Sequence, residues 1–340
     1  MRPEDRRSDG YDLVTFGEVM IRLSTQGVGR LEQAHALDVH AGGGEMNVAC
    51  ACSRLGLSVG FVTRLPKNPL GRLAAGQARL HGVDTGNIVW TEEPRDRMGL
   101  YFLERGATPR PDSVLYDRRG SAVSAIEPEM VDWGSVFDGC GWFHVTGITP
   151  ALSESAAATT IRAVEVAREK SAQVSLDLNY RKKLWTVEEA RPVMAQLAES
   201  SHHVITTEED AERLFGLGGE DYGDVARRLA DRFGCETVAV TVRENMSSRH
   251  HRWTAVVWDG RSVHRDETYD LQIVDRVGGG DAFAAGYIFG MIGSRDPGRA
   301  LRYGNGVSAL KHSIPGDVCW CSLGEVDSLL AGGGGVRIQR

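Results

Sequence analysis

Short apolar runs rich in β-branched residues alternate along this chain with stretches that repeat at helical spacing, and this alternation restricts the fold more than any other feature. Leu13-Val14-Thr15-Phe16-Gly17 reads as a buried strand. Val48, Ala51, Cys52 and Leu55 then recur at helical spacing after Gly42-Gly43-Gly44, and Gly56 supplies a stop. A strand from Val59 to Thr63 and a helical stretch from Leu73 to Leu80 follow. The rhythm resumes with strands at Trp142–Val145, Val174–Leu178, His203–Thr206 and Thr237–Val242. Helices are expected over 153–170, 187–199, 281–292 and 300–311. Such βα repetition requires crossover connections, so the expected fold is α/β with a doubly wound, mostly parallel sheet.

The interval from Met98 to Ala125 breaks the rhythm. Leu100-Tyr101-Phe102-Leu103 and Ser113-Val114-Leu115-Tyr116 are short strand candidates separated by Gly106, Pro109 and Pro111, and they read as an inserted lid. With 340 residues and 41% hydrophobic content the chain can bury one large core. We therefore expect one domain over 11–330, with tails at 1–10 and 331–340.

Lys and Arg total 39 against 46 for Asp and Glu, a net charge of −7 that argues against a general nucleic-acid or anionic-membrane binder. The scattered cysteines, Cys50, Cys52, Cys140, Cys235, Cys319 and Cys321, match neither a disulfide scaffold nor paired zinc ligands. No signal-like or membrane-spanning run is evident, and the cytoplasm is the expected compartment.

Gly278-Gly279-Gly280-Asp281 opens a helix. Glycines there allow backbone N–H groups to converge on an anion, and the helix dipole adds to their effect. Asp281 beside that anion could take a proton from an attacking hydroxyl, the task of a kinase base. Read alone, the same residues fit better a helix start capped by Asp281. Neither glycine triplet completes Gly-x-Gly-x-x-Gly, and none of the five lysines follows a glycine as a Walker sequence demands. His-Glu-x-x-His and Gly-x-Ser-x-Gly are also missing from the sequence.

Together, Ala41-Gly42-Gly43-Gly44-Glu45-Met46-Asn47-Val48-Ala49 and Asp275-Arg276-Val277-Gly278-Gly279-Gly280-Asp281-Ala282-Phe283 resemble the two signatures of the ribokinase-like (PfkB) carbohydrate kinases. The resemblance covers nearly the whole chain. It implies a doubly wound domain that carries ATP and sugar sites under a small β-sheet lid, with lid strands near 18–40 and 98–125, and a homodimer or higher homo-oligomer formed through that lid. It also implies Asp281 as base beside the Gly278, Gly279 and Gly280 amides.

Three further segments are similar to the branch of the family that phosphorylates 2-keto-3-deoxygluconate on its 6-hydroxyl. They are Tyr101 to Arg105, Tyr116 to Ala122 and Asp177 to Trp185. The resemblance then implies that Gly43, Gly44 and Asn47 hold sugar hydroxyls and that Tyr101, Tyr116 and Arg118 reach the substrate from the lid. Arg181 falls between sugar and ATP, and Asp317 on a sugar hydroxyl. ATP is expected along Asn179, Thr241, Arg243, Gly278 and Gly280, with Asn305 near the adenine and magnesium near Asp210. The substrate is a small sugar acid, whose carboxylate suits the guanidiniums of Arg118 and Arg181 through charge-assisted hydrogen bonds.

Each lid residue also fits a plainer use, Tyr101 and Tyr116 as packing and Arg118 as a solvated charge, and Asp317 also fits a helix-ending turn. The chain departs from the family pattern at Arg276 for Thr, Gly279 for Ala, and Thr207 at a position where the family often has Asn. A kinase for fructose, ribose or a nucleoside, or a sugar- or nucleotide-binding sensor without turnover, are the alternatives these departures leave.

Overall fold

The computed structural model describes residues 10–247 and 249–332; most of both expected tails lies outside the described residues. The chain enters through β1 (Leu13–Phe16), then β2 (Met20–Thr25), β3 (Leu37–Gly42), α1 (Gly44–Arg54), β4 (Val59–Pro66), α2 (Pro69–Leu80) and β5 (Ile88–Thr91). It continues through β6 (Gly99–Glu104), β7 (Ser113–Asp117), α3 (Trp133–Val136), β8 (Trp142–Thr146), α4 (Glu154–Glu169), β9 (Gln173–Asp177) and α5 (Val187–Glu199). Next come β10 (His203–Thr207), α6 (Glu208–Phe215), α7 (Tyr222–Phe233), β11 (Thr237–Ser247), β12 (His250–Trp258), β13 (Val263–Arg265) and β14 (Tyr269–Gln272). Three helices, α8 (Gly279–Ser294), α9 (Pro297–His312) and α10 (Leu323–Leu330), end the described chain.

The main sheet runs β13-β12-β11-β10-β9-β8-β1-β4-β5, with β14 also on β12. Seven strands from β11 to β5 pair in parallel, and β12, β13 and β14 add an antiparallel edge. All four residues of β1 and all five of β8 are buried, as strands covered on both faces must be. One apolar core lies under α1, α2, α8 and α9, the other under α3 to α7. The sheet is therefore wound on both sides, and the winding reverses between β1 and β8. Ligands of such folds bind at the strands' C-terminal ends near this reversal.

The helix boundaries have local causes. Ser153 Oγ caps α4 by accepting from Ala156 N at 3.0 Å, and Thr186 and Glu189 form a reciprocal box at the start of α5. The small residues of α8 serve helix packing: a Cβ on Gly286 would meet the Tyr303 carbonyl oxygen at 2.4 Å, and one on Gly290 would meet Ala300 Cα at 2.5 Å. They let α9 approach α8 closely. The antiparallel edge was not expected, because β12 to β14 carry as many polar as apolar residues.

The lid is a separate sheet, β3-β2-β6-β7. Its register sorts the side chains into two rows on opposite faces. His40, Arg22, Tyr101 and Tyr116 are cross-strand neighbours on the face toward the main body; Val39, Leu23, Phe102 and Leu115 form the alternate row. In that second row Val39 is 51% and Leu115 60% exposed.

Candidate active site

Gly278 has φ +81°, and a Cβ there would meet the Asp317 carbonyl oxygen at 2.0 Å, so only glycine fits this turn. Gly278 is itself the helix cap, and Asp281 is the third residue of α8. No side chain caps the helix, so Asp281 is not the capping residue that the isolated motif allowed. Gly279 N donates back to Arg276 O at 3.3 Å, and the amides of exposed Gly280 and of Asp281 have no intrahelical acceptor, which is the arrangement an anion uses.

The second glycine turn is packed just as tightly. A Cβ on Gly43 would meet the Glu18 carbonyl oxygen at 1.9 Å, one on Gly42 the Asp317 carboxylate at 2.1 Å. Gly44 faces Thr146 and, at 3.7 Å from where its Cβ would stand, Asp281 Oδ1. Asn47 joins the two turns: its Nδ2 donates to Asp281 Oδ2 at 2.7 Å, while its Oδ1 accepts from Gly43 N at 3.4 Å. Buried Glu45 anchors α1 to the end of β8, accepting from Thr146 N at 3.1 Å and from the Thr146 and Thr149 hydroxyls at 2.8 Å each. Burial raises its pKa to about 7.

Burial also raises the pKa of Asp281 to about 6, although the Asn47 hydrogen bond and the Arg181 charge work in the opposite direction. A carboxyl group ionising there is a base at neutral pH without being inert. Asp177, at the end of β9, is pushed up further, to about 8, by burial and then by the nearby charges of Asp281 and Asp210. Asp177 opens the Asp177 to Trp185 motif, which by itself gives it no role. Its signal was an acid ending an apolar strand.

Arg181 is exposed and its guanidinium makes no hydrogen bond or ion pair among the described residues, although it lies within electrostatic reach of Asp281, Asp177 and Asp210. Asn179, with φ +36°, turns the chain between Asp177 and Arg181. Asp210 accepts from Tyr180 N at 3.3 Å, and burial raises its pKa. Thr207 caps α6 by accepting from Asp210 N at 3.1 Å, whereas Glu209 is exposed and paired with Arg213 at 2.5 Å. Thr241 lies at the adjacent β11 end, its hydroxyl on Thr206 O at 3.3 Å. Arg243 follows it, and its pKa is lowered by burial and by the neighbouring Arg276 and Arg181. Arg276 is paired with Asp112 at 3.6 Å, whereas the Arg181 and Arg243 guanidiniums have no carboxylate partner among the described residues, an arrangement that suits a polyanion.

The lid residues are arranged differently from the expectation. Arg22, fully buried and missed in the sequence, donates to Asp275 at 2.6 Å, Asp317 at 2.7 Å and Ser24 Oγ at 2.8 Å. Tyr101 donates to the same Asp317 carboxylate and is 4% exposed. Tyr101 and Asp317 are thus bonded to each other, and Asp317 also to Arg22, beside the Gly42 turn. Arg118 is held by Glu18, which Ser121 Oγ also reaches at 2.5 Å, so its head group is not free for a carboxylate. The sequence could not show these pairings, because the partners are 100 or more residues away.

Tyr116 remains open, with Arg118 at 5.6 Å and Lys183 at 5.8 Å from its ring. Asn305 stands apart from the expected adenine groove. It is fully buried in α9, its Nδ2 on Asp266 at 3.0 Å, and it offers no surface to an adenine.

A helix-borne carboxylate, an amide-lined anion site and the unpaired guanidiniums of Arg181 and Arg243 describe a phosphoryl-transfer site, and known proteins agree. The model of the pfkB family carbohydrate kinases matches residues 11–318. The 2-dehydro-3-deoxygalactonokinase of Haloferax volcanii is 37% identical over 322 residues, 95% of this chain and 97% of that one. The 5-dehydro-2-deoxygluconokinase of Shouchella clausii is 28% identical, over 89% of this chain and 91% of its own length. Among solved structures, a 2-dehydro-3-deoxygluconokinase from Thermotoga maritima superposes with a TM-score of 0.92 at 40% identity, covering 95% of this chain and 99% of that one. Both the site and the length over which these sequences agree lead to one assignment: the chain belongs to the pfkB family carbohydrate kinases and is an ATP-dependent sugar kinase.

Proposed function

We propose that the protein transfers the γ-phosphoryl group of ATP to the 6-hydroxyl of a 2-keto-3-deoxy sugar acid, 2-keto-3-deoxygluconate or its galactonate epimer. The observation that carries this reading is the 2.7 Å contact between Asn47 and Asp281, which brings a hydroxyl-binding turn onto the base at the head of the anion site. Gly43, Gly44 and Asn47 hold sugar hydroxyls. Asp281 takes the proton of the attacking hydroxyl as its oxygen bonds to phosphorus and the bond to the leaving ADP oxygen breaks. The amides of Gly280 and Asp281 meet the charge that develops on the moving group.

Arg181 and Arg243 hold the phosphate chain, with Asn179 and Thr241 shaping its groove. An acidic sugar is supported by Lys183, 5.8 Å from the Tyr116 ring, and by exposed Arg181. Magnesium fits near Asp210 and Asp177. No cluster of three or more metal-binding side chains exists among the described residues, so the ion would depend mainly on phosphate oxygens and water. Bound there, it neutralises phosphate charge. The outer lid row supports a homodimer. All six cysteines are free and no helix of the described residues is long and apolar enough to cross a membrane, which fits a cytoplasmic enzyme.

The test is ATP consumption over a panel of both 2-keto-3-deoxy epimers, 5-keto-2-deoxygluconate, fructose and ribose. A 2-keto-3-deoxy acid should show the highest kcat/KM; a preference for a neutral sugar would overturn the substrate assignment, and binding without turnover would indicate a sensor.

A further inference from the structure

Lys311 is the one lysine of the chain with no exposed surface; the other four are exposed. Its Nζ donates to the backbone carbonyls of Asp275 and Ile314, both at 3.2 Å, and it forms no salt bridge among the described residues. The two nearest carboxylates, Asp275 and Asp317, are already bound by Arg22 at 2.6 and 2.7 Å. A buried ammonium satisfied by carbonyls alone is costly to keep, and burial lowers its pKa.

Its location gives it a use. Asp275 begins the loop that becomes the anion-binding turn, and Ile314 lies in the turn after α9 that packs against Gly278. Lys311 Cε is 3.4 Å from where a Cβ on Gly278 would stand, so the ammonium chain lies directly beneath the turn. Because a peptide unit is planar and trans, drawing the Asp275 carbonyl inward aims the Arg276 N–H away from Lys311. The charge also lies within electrostatic reach of Asp281 and favours its carboxylate form.

We propose that Lys311 is a positioning residue for phosphoryl transfer, a built-in cation that clamps the Asp275 and Ile314 carbonyls and thereby holds the Gly278–Asp281 turn in its anion-binding arrangement. Lys311 touches neither sugar nor nucleotide. The inference rests on the kinase reading of this turn. If that reading failed, the unmodified protein would show no turnover, whereas failure of this inference leaves the unmodified protein active.

The experiment compares the full chain with Lys311→Met and Lys311→Gln, the second keeping a hydrogen-bond donor without the charge. In both, kcat should fall by about 10²-fold, the scale of losing one element of a preorganised anion site. The sugar KM should stay within about twofold, since uniform sugar binding is untouched. Binding of ADP with aluminium fluoride, a mimic of the moving phosphoryl group, should weaken in parallel with kcat while ADP alone binds as before. Lys311→Gln should recover melting temperature relative to Lys311→Met without recovering kcat. Unchanged kcat in either variant, or kcat and sugar affinity that fall in step with melting temperature, would overturn the proposal, as would loss of the fold in both.

Discussion

Asp281 combines two demands that pull against each other. As base it must be ionised, yet its pocket is poor in water and raises its pKa from 3.8 to about 6. Turnover should therefore rise with pH through about 6 as Asp281 gives up its proton, a limb visible in kcat/KM measured across the acid range. Asp281→Asn should lower kcat by about 10²- to 10⁴-fold while ATP binding persists. The same substitution should stabilise the fold. A carboxyl whose pKa is raised on folding binds its proton more tightly in the native state, so its contribution favours folding at low pH and is lost as pH rises through about 6. Asp281→Asn should thus melt higher than the parent at pH 7–8, with the difference shrinking toward pH 4. A lower melting temperature at pH 8 would contradict this.

At the scale of elements, two left-handed glycines separate function from folding. Gly278 and Gly216 have φ of +81° and +67°, but a Cβ would collide with the Asp317 carbonyl only at Gly278; at Gly216, the C-cap of α6, it meets nothing within 4 Å. Gly216→Ala should cost about 1–2 kcal/mol from its conformation alone and leave kcat intact. Gly278→Ala adds the collision, displaces the loop that Lys311 and Arg22 hold, and should remove most activity. Denaturant unfolding and steady-state kinetics of both variants test the contrast. The regular βα elements were legible in the sequence because strand and helix periods are local. The start of α8 fell two residues before the expected Asp281, since the glycines of the turn themselves enter the helix.

For the whole molecule, the lid's two rows imply two duties. One row closes on the site through Arg22 and Tyr101. The other, Val39, Leu23, Phe102 and Leu115, is an apolar stripe whose ends are exposed, and it suits a second lid. Leu115→Asp should shift the sedimentation coefficient from dimer toward monomer; a protein already monomeric at micromolar concentration would remove the lid dimer.

The sequence by itself determined the parallel α/β body, the inserted lid strands, the two glycine turns and the position of Asp281, because each rests on spacing within a few residues. Only the tertiary structure decided what those residues touch. It placed Asn47 on Asp281 across 234 positions, and it paired Arg118 with Glu18 across 100. It also drew Asp317 onto both Tyr101 and buried Arg22. Whether an arginine or an aspartate faces ligand or partner depends on which charges folding brings beside it, and desolvation makes that pairing obligatory once the group is buried.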